Sequence, residues 1–429
     1  ALTPHGYITI NGNAGFTKPD PVNGGGSGTE NDPYIIENWD IGAGPWGILI
    51  EDTTAYFIIR NCYVHDIWGE GISLGNVKNG KIDNVKSISN DGGIGLYSST
   101  NNIILNSVVE NDSPVGPSGG IYLSASSNNI IENCTARNNQ YSIYLWYSDN
   151  NLISGNAVGN SYVGINLDNS DNNLVENNTC DNNSTGIFLS SSDNNAITNC
   201  IMENNGSQEY YAGGIVLRES SNNIIENCIV KNTNWIDGIG LYDDSDNNII
   251  ENCTLENNGY GVYIDHSDNN RIYHNNIVNN AVQAYDTGSN FWDNGYPSGG
   301  NYWSDYRGAD RYRGENQDIP GGDWIGDEPY YITGGTILDR YPRTLLPPKS
   351  TSSVLISPDY QEGLPGGWLN YIVEVGNAGS LPDNYTLTVN DNRGWILALS
   401  ENRLENVQPN EVRSCLLYTS PSPRDRTRS

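Results

Sequence analysis

Between Pro33 and Ala284 the apolar residues fall in short alternating strands separated by Asn, Gly and Ser, and the whole pattern repeats. Segments such as SSNNIIENCTA, SDNNLVENNTC and SDNNIIENCTL are variants of one unit. With the first Asn of each NN pair as a marker, rungs start at Asn101, Asn128, Asn150, Asn172, Asn194, Asn222, Asn247 and Asn269. Weaker versions start at Pro33, Tyr56 and Asn79, and the commonest spacing is 22 residues. Longer intervals contain Pro114 to Pro117, Gln208 to Tyr211 and Trp235, which read as loops.

The third residue after the marker is β-branched at every rung, as in Ile104, Ile131, Ile153, Val175 and Ile197. That column predicts an interior strand. The eighth residue is largely apolar (Val64, Val109, Val158, Val230, Leu255), and a G-I-x-L pattern such as Gly120-Ile121-Tyr122-Leu123 supplies a third inward strand. Five after the marker, Asn stands at most rungs, from Asn38 and Asn61 to Asn227 and Asn252. Asn tolerates the left-handed conformation of a sharp corner, and the reading expects its amide to bond the equivalent amide one rung on. Parallel strands this short, without helices between them, leave an all-β, right-handed parallel β-helix of eleven rungs. At roughly 4.8 Å per rung the rod is about 50 Å long.

Composition agrees with a thin solenoid: hydrophobic residues are 36% and Gly numbers 48, too lean for a large globular core. A net charge of −30 disfavours nucleic acid and anionic lipid as partners. No apolar run approaches the roughly 18 residues that span a bilayer. Ala1 opens without a leader pattern, so any signal peptide or anchor is expected to be missing from this chain.

The seven cysteines invite a metal or disulfide reading, but Cys62, Cys134, Cys200, Cys228 and Cys253 share one column and Cys180 fills the apolar one. They read as small packing residues. Asp149, Asp171, Asp193, Asp246 and Asp268 precede the markers, and Glu132, Glu176, Glu226 and Glu251 form a second acidic column; a solvated turn face is preferred to Ca²⁺ binding. For catalysis by a polysaccharide lyase or hydrolase the nearest candidates are Asp243 and Asp244 with Arg218 one rung earlier. Trp146, Tyr147, Trp235 and Tyr242 are candidates for stacking on sugar rings. Four scattered His residues and a lone Met202 make copper an unfavoured cargo.

The stretch GSGTENDPYIIENWDI (Gly26 to Ile41), the rungs, and GNYWSDYRGAD...WIGDEPYYI...LDRYP (Gly300 to Pro342) together resemble the NosD-like β-helix proteins of archaeal surfaces, which share a pectin-lyase-like solenoid. The resemblance implies either a surface module or, by the family's name, a periplasmic copper-maturation factor. Its closing Asp-rich loop implies a possible Ca²⁺ site at Asp310, Asp318, Asp323 and Asp327, here interrupted by Trp324; a cap that seals the last rung is the preferred reading. After Pro347-Pro348 alternating strands resemble an immunoglobulin-like β-sandwich that stops early. CLLYTSPSPRD from Cys415 resembles a translated sequencing adapter.

The expected organisation is therefore an N-terminal cap (1–32), the β-helix (33–285), an aromatic, Asp-rich cap (286–346), a partial β-sandwich (347–414) and an adapter artefact (415–429). The expected role is an extracellular or cell-surface recognition or structural module, periplasmic in a cell with two membranes. Glycans or envelope proteins are its partners, the chain is a monomer, and enzymatic activity is the second class.

Overall fold

Each rung is made of three short strands joined at left-handed corners, and the corners follow from residue type. The computed structural model describes residues 2–17, 21–110, 112, 119–207, 212–233, 236–344, 352–357, 369–377, 383–387, 396–408 and 412–420. In the rung marked by Asn172, positive φ values occur at Asn169 (49°), Asn172 (59°), Asn177 (56°) and Asn182 (56°). Strands Leu174–Glu176, Thr179–Asp181 and Thr185–Ser190 lie after the second, third and fourth of these corners. A short polar side chain makes the left-handed region tolerable there, which is why Asn dominates.

Stacking equivalent strands gives three parallel sheets of eleven, thirteen and twelve strands. The register repeats without slippage, as in Ile153 to Val175 to Ile197. The interior columns are sealed: Ile104, Val109, Ile121 and Leu123 are each at most 1% exposed. Two strands upstream of Pro33, Thr3–His5 and Ile8–Asn11, already pair in parallel with Trp39–Gly42 and Ile48–Thr53, so the sheets begin before the first recognisable marker.

The amide ladder differs from the sequence reading. The fifth-position Asn residues do adopt positive φ. Their side chains face outward, however: Asn84 reaches Asn61 (2.8 Å), but Asn106 turns to Asp83 and Asn227 to Glu226. The continuous ladder runs through the second Asn of each NN pair. From Asn102 to Asn270 every backbone N–H donates to the Oδ1 of the equivalent Asn on the next rung at 2.7–2.9 Å. The residue after a left-handed corner points inward, its N–H is buried, and only a side-chain acceptor can satisfy it. At a second corner the backbone N–H groups from Ser99 to Ser245 likewise donate to the Oγ of the equivalent Ser on the next rung.

Cysteines fill the equivalent inward place at a third corner. Cys134, Cys200, Cys228 and Cys253 are buried, and each thiol donates to the carbonyl two residues back. The Asp column before the markers is also architectural: Asp149, Asp171 and Asp193 accept backbone N–H groups from the following rung at 2.7–2.8 Å.

At the C-terminal end of the solenoid Tyr302–Trp303 adds the last strand of the thirteen-strand sheet. Trp292 and Trp303 close the core, their indole N–H groups donating to Asp286 (2.8 Å) and Asp339 (2.9 Å). The chain divides into two units, Ala1–Leu345 and Leu346–Ser429. The second consists of small antiparallel pieces: a four-strand sheet from Ser352–Ser357, Leu369–Asn377, Val412–Ser420 and Ile396–Leu399, and a pair, Asp383–Thr386 with Arg403–Val407. Cys415 and Leu417 pack there with Val373, Val375, Leu404 and Val407.

Candidate functional site

The three sheets present different outer faces. On the eleven-strand sheet the outward residues are aliphatic and acidic, as in Ile130 and Glu132 or Ile224 and Glu226. On the thirteen-strand sheet they are small or charged, such as Thr135 and Arg137. The twelve-strand sheet carries most of the outward aromatic residues. One column on the outer side reads Tyr122, Tyr144, Asn166, Phe188, Val216, Gly240, Tyr263 and Tyr285, of which Tyr122, Tyr144, Asn166 and Val216 are buried. The next reads Tyr97, Ser124, Trp146, Asp168, Ser190, Arg218, Tyr242 and Asp265.

The rings touch from rung to rung. Centroids of Tyr97 and Tyr122 lie 5.8 Å apart and those of Tyr122 and Tyr144 5.3 Å; Tyr263 stacks on Tyr285 at 5.0 Å. The three long intervals of the sequence all open at one corner, between Glu110 and Ile121, Glu203 and Gly213, and Lys231 and Asp237. That corner borders the twelve-strand face.

The stacking candidates fall on or beside this face, apart from Trp235, which lies outside the described residues. Trp146 and Tyr147 are 40% and 55% exposed and meet edge to face at 5.1 Å. Tyr242 packs against Tyr263 and donates its hydroxyl to Asp237, whose carboxyl is pushed up to about 7 by burial. The catalytic candidates are less close-knit. Arg218 Nε meets Asp243 at 3.1 Å and its Nη2 meets Glu219 at 2.9 Å, while Asp244 donates its backbone N–H to the carbonyl of His266. These side chains are part-exposed, in the range where an ion pair contributes little.

In the cap, Asp310 accepts the N–H groups of Asp323 and Trp324, and Asp327 accepts those of Arg311 and Tyr312. Asp323 accepts from Ile325, and Asp318 is exposed. The carboxylates thus fold the cap loop onto itself. Among the described residues no group of three or more His, Cys, Asp or Glu side chains is placed to hold a metal ion.

A feature the sequence reading missed lies at the N-terminal end of the same face. A pocket of about 390 Å³ opens there, walled by Trp46, Leu49, Glu51, Glu70, Ser73, Asp91 and Tyr97; Gly75 and Gly95 interrupt the outward columns on the same strands. Glu70 leans over Gly95 and accepts the Tyr97 hydroxyl; burial holds its carboxyl above the usual range. The signal was present as Gly75 and Gly95 at outward positions of the strands Glu70–Val77 and Gly92–Tyr97, but it is readable only once the strand register is known.

The family described as periplasmic copper-binding protein (NosD) matches residues 105–308, and the right handed beta helix region matches residues 22–158. The chain is a NosD-like right-handed parallel β-helix protein. No curated protein matches it. Among solved structures, a periplasmic alginate epimerase, AlgG, is 17% identical over 66% of this chain and 71% of its own, with a TM-score of 0.43. The Dettilon tailspike protein is 14% identical over 91% of this chain and 88% of its own (TM-score 0.44). The Azotobacter vinelandii mannuronan C-5 epimerase AlgE4 A-module is 13% identical over 68% and 88% (TM-score 0.37).

The soft-metal residues of this NosD-like chain do not fit copper. His65 is held by Asp66 (2.7 Å) and Asp40 (3.1 Å), His266 by Asp265, and His274 by Ser298. These lie on separate rungs, and Met202 and the stacked cysteines are sealed inside the solenoid. No helix among the described residues is long and apolar enough to cross a membrane.

Proposed function

We propose that this chain is an extracellular or cell-surface recognition module that binds polysaccharide along the outer face of its twelve-strand sheet. The observation that carries the reading is the run of aromatic rings on the outer side of that sheet, with Trp146 and Tyr147 exposed, beside the corner at which the three long sequence intervals fall. Ring faces supply apolar area for the C–H side of a pyranose, and hydroxyl and carboxylate groups such as Asp168, which accepts the Tyr144 hydroxyl at 3.1 Å, supply the polar edge. With a net charge of −30, neutral or basic glycans are favoured over acidic ones. The antiparallel pieces after Leu346 serve as a further module of the same surface protein.

A glycan array, run with and without Ca²⁺, identifies the polymer, and Trp146→Ala,Tyr147→Ala then tests the face. Two exposed rings worth about 0.7 kcal/mol each beyond their area predict binding weakened roughly tenfold with an unchanged circular dichroism spectrum. Capture of an envelope protein without any glycan, or equal glycan binding by the variant, rejects the reading.

A further inference from the structure

The Glu70 pocket is chemically unlike the rest of the twelve-strand face. Its floor is the outer side of the sheet at Leu49, Glu51 and Ser73. One wall is a stack of three corners: Gly47 donates to the carbonyl of Glu70 (3.1 Å), Gly92 to that of Gly69 (3.2 Å), and Asp91 to that of Ile67 (3.0 Å). These bonds stack Trp46, Glu70 and Asp91 on three successive rungs. Trp46 stays 42% exposed at the rim, and Trp68, 76% exposed, sits on the same stack of corners through its N–H bond to the Gly44 carbonyl.

Three of the walls are carboxylates, two are aromatic, and none is Lys or Arg. A neutral sugar gains little from three anions, and an acidic sugar is repelled. A protonated amine is attracted to carboxylates and ring faces alike, and more strongly where water is excluded. Glu70 is largely withdrawn from water, and its hydrogen-bonding partners are hydroxyl groups, so a cation brought into the pocket offsets the cost of its burial. The volume admits one hexose-sized ring, not merely a bare ion.

We infer that this pocket binds the ammonium group of a basic sugar unit, with Trp46 against the ring and Glu70, Glu51 and Asp91 around the cation. The inference rests on the reading that the twelve-strand face binds carbohydrate and names the class of unit held at its N-terminal end. The unit is an amino sugar with a free amine; an acylated amine carries no charge and is excluded.

Glucosamine, N-acetylglucosamine and glucose are titrated separately into the full chain at physiological ionic strength, with binding read by calorimetry and saturation-transfer NMR. Glucosamine is expected to bind at least tenfold more tightly than the other two, and Glu70→Gln and Trp46→Ala each to weaken it about tenfold while the fold, checked by circular dichroism, is retained. Glucose binding as tightly as glucosamine overturns the ammonium reading. Failure of glucosamine to bind, or equal binding by wild type and both variants, as a diffuse attraction to the acidic surface would give, overturns the site. Trp146 and Tyr147 are not walls of the pocket, so loss of the polymer reading in the earlier experiment and loss of this one are separate results.

Discussion

Gly214→Ala is expected to destabilise the solenoid by about 3 kcal/mol, and a second substitution, Val230→Ala, is expected to relieve much of that loss. A Cβ on Gly214 would lie 2.1 Å from Val230 Cγ1 and 2.7 Å from the carbonyl oxygen of Gly238, one rung on. Equivalent glycines meet the same two obstacles. At Gly93 the contacts are Val109 Cγ1 and the Gly120 carbonyl at 2.3 Å each, and at Gly47 the Val64 Cγ1 and the Gly71 carbonyl at 2.3 and 2.2 Å. One rung carries a side chain at this place: Ser142 stands fully buried in the glycine column, its hydroxyl donating to the carbonyl of Ala136 of its own rung at 2.9 Å. Val230→Ala alone should cost about 2 kcal/mol through the cavity it leaves. Chemical denaturation of the two single variants and the double variant measures the coupling; a double variant as unstable as the two losses added together would show that the backbone contact, not the valine, is limiting.

The architecture is legible in the sequence because the solenoid imposes one environment on each column. A β-branched residue at every third-position site, from Ile36 to Ile272, has no other explanation than a continuous buried strand. Roles at the corners are harder to read. Asn101, Asn102 and Asn106 are the same residue type, yet the first is chosen for its φ, the second for an amide that is 1% exposed, and the third for φ with its side chain in solvent. Telling them apart requires knowing that the residue following a left-handed corner turns inward. The functional face is less legible still. Trp46, Glu70 and Tyr97 are 51 residues apart at the extremes and become neighbours only by stacking three rungs whose markers are the weakest in the chain. The catalytic candidates Asp243, Asp244 and Arg218 stood out because adjacent charges are visible in a sequence. A carboxylate leaning over a glycine on the next rung is not.

Asp112→Asn is expected to stabilise the protein, and by more at pH 8 than at pH 5. Asp112 stands fully buried in a ladder position held by Asn90 one rung before and Asn139 one rung after. Its Oδ1 accepts the Asn90 N–H at 2.7 Å, as an Asn would. The difference lies at the other atom. Asn90 and Asn139 each donate an amide N–H to a carbonyl of the preceding rung, Val64 and Val109, whereas Asp112 Oδ2 has no hydrogen-bond partner among the described residues. A carboxyl can imitate the amide there only when protonated, and burial pushes its acidity from 3.8 up to about 8. A raised carboxyl favours the fold fully below its unfolded value near 4, and the favour is lost as pH rises towards 8. Asp237 and Asp339, each raised to about 7 by burial, act in the same direction, whereas Asp83 and Asp293, held low by Lys81 and Arg340, act only below the ordinary carboxylate range. Subtracting the Asn variant isolates Asp112 from all of them. The difference between the two proteins should grow by about 2–4 kcal/mol between pH 5 and pH 8, at 1.36 kcal/mol per unit of linked titration. Parallel denaturation curves at the two pH values measure it, and hydrogen exchange at Asn90 and Asn139 places it on this rung. An offset that is the same at both pH values would mean that Asp112 keeps one protonation state throughout, and that its neighbours satisfy a buried anion as well as they satisfy an amide.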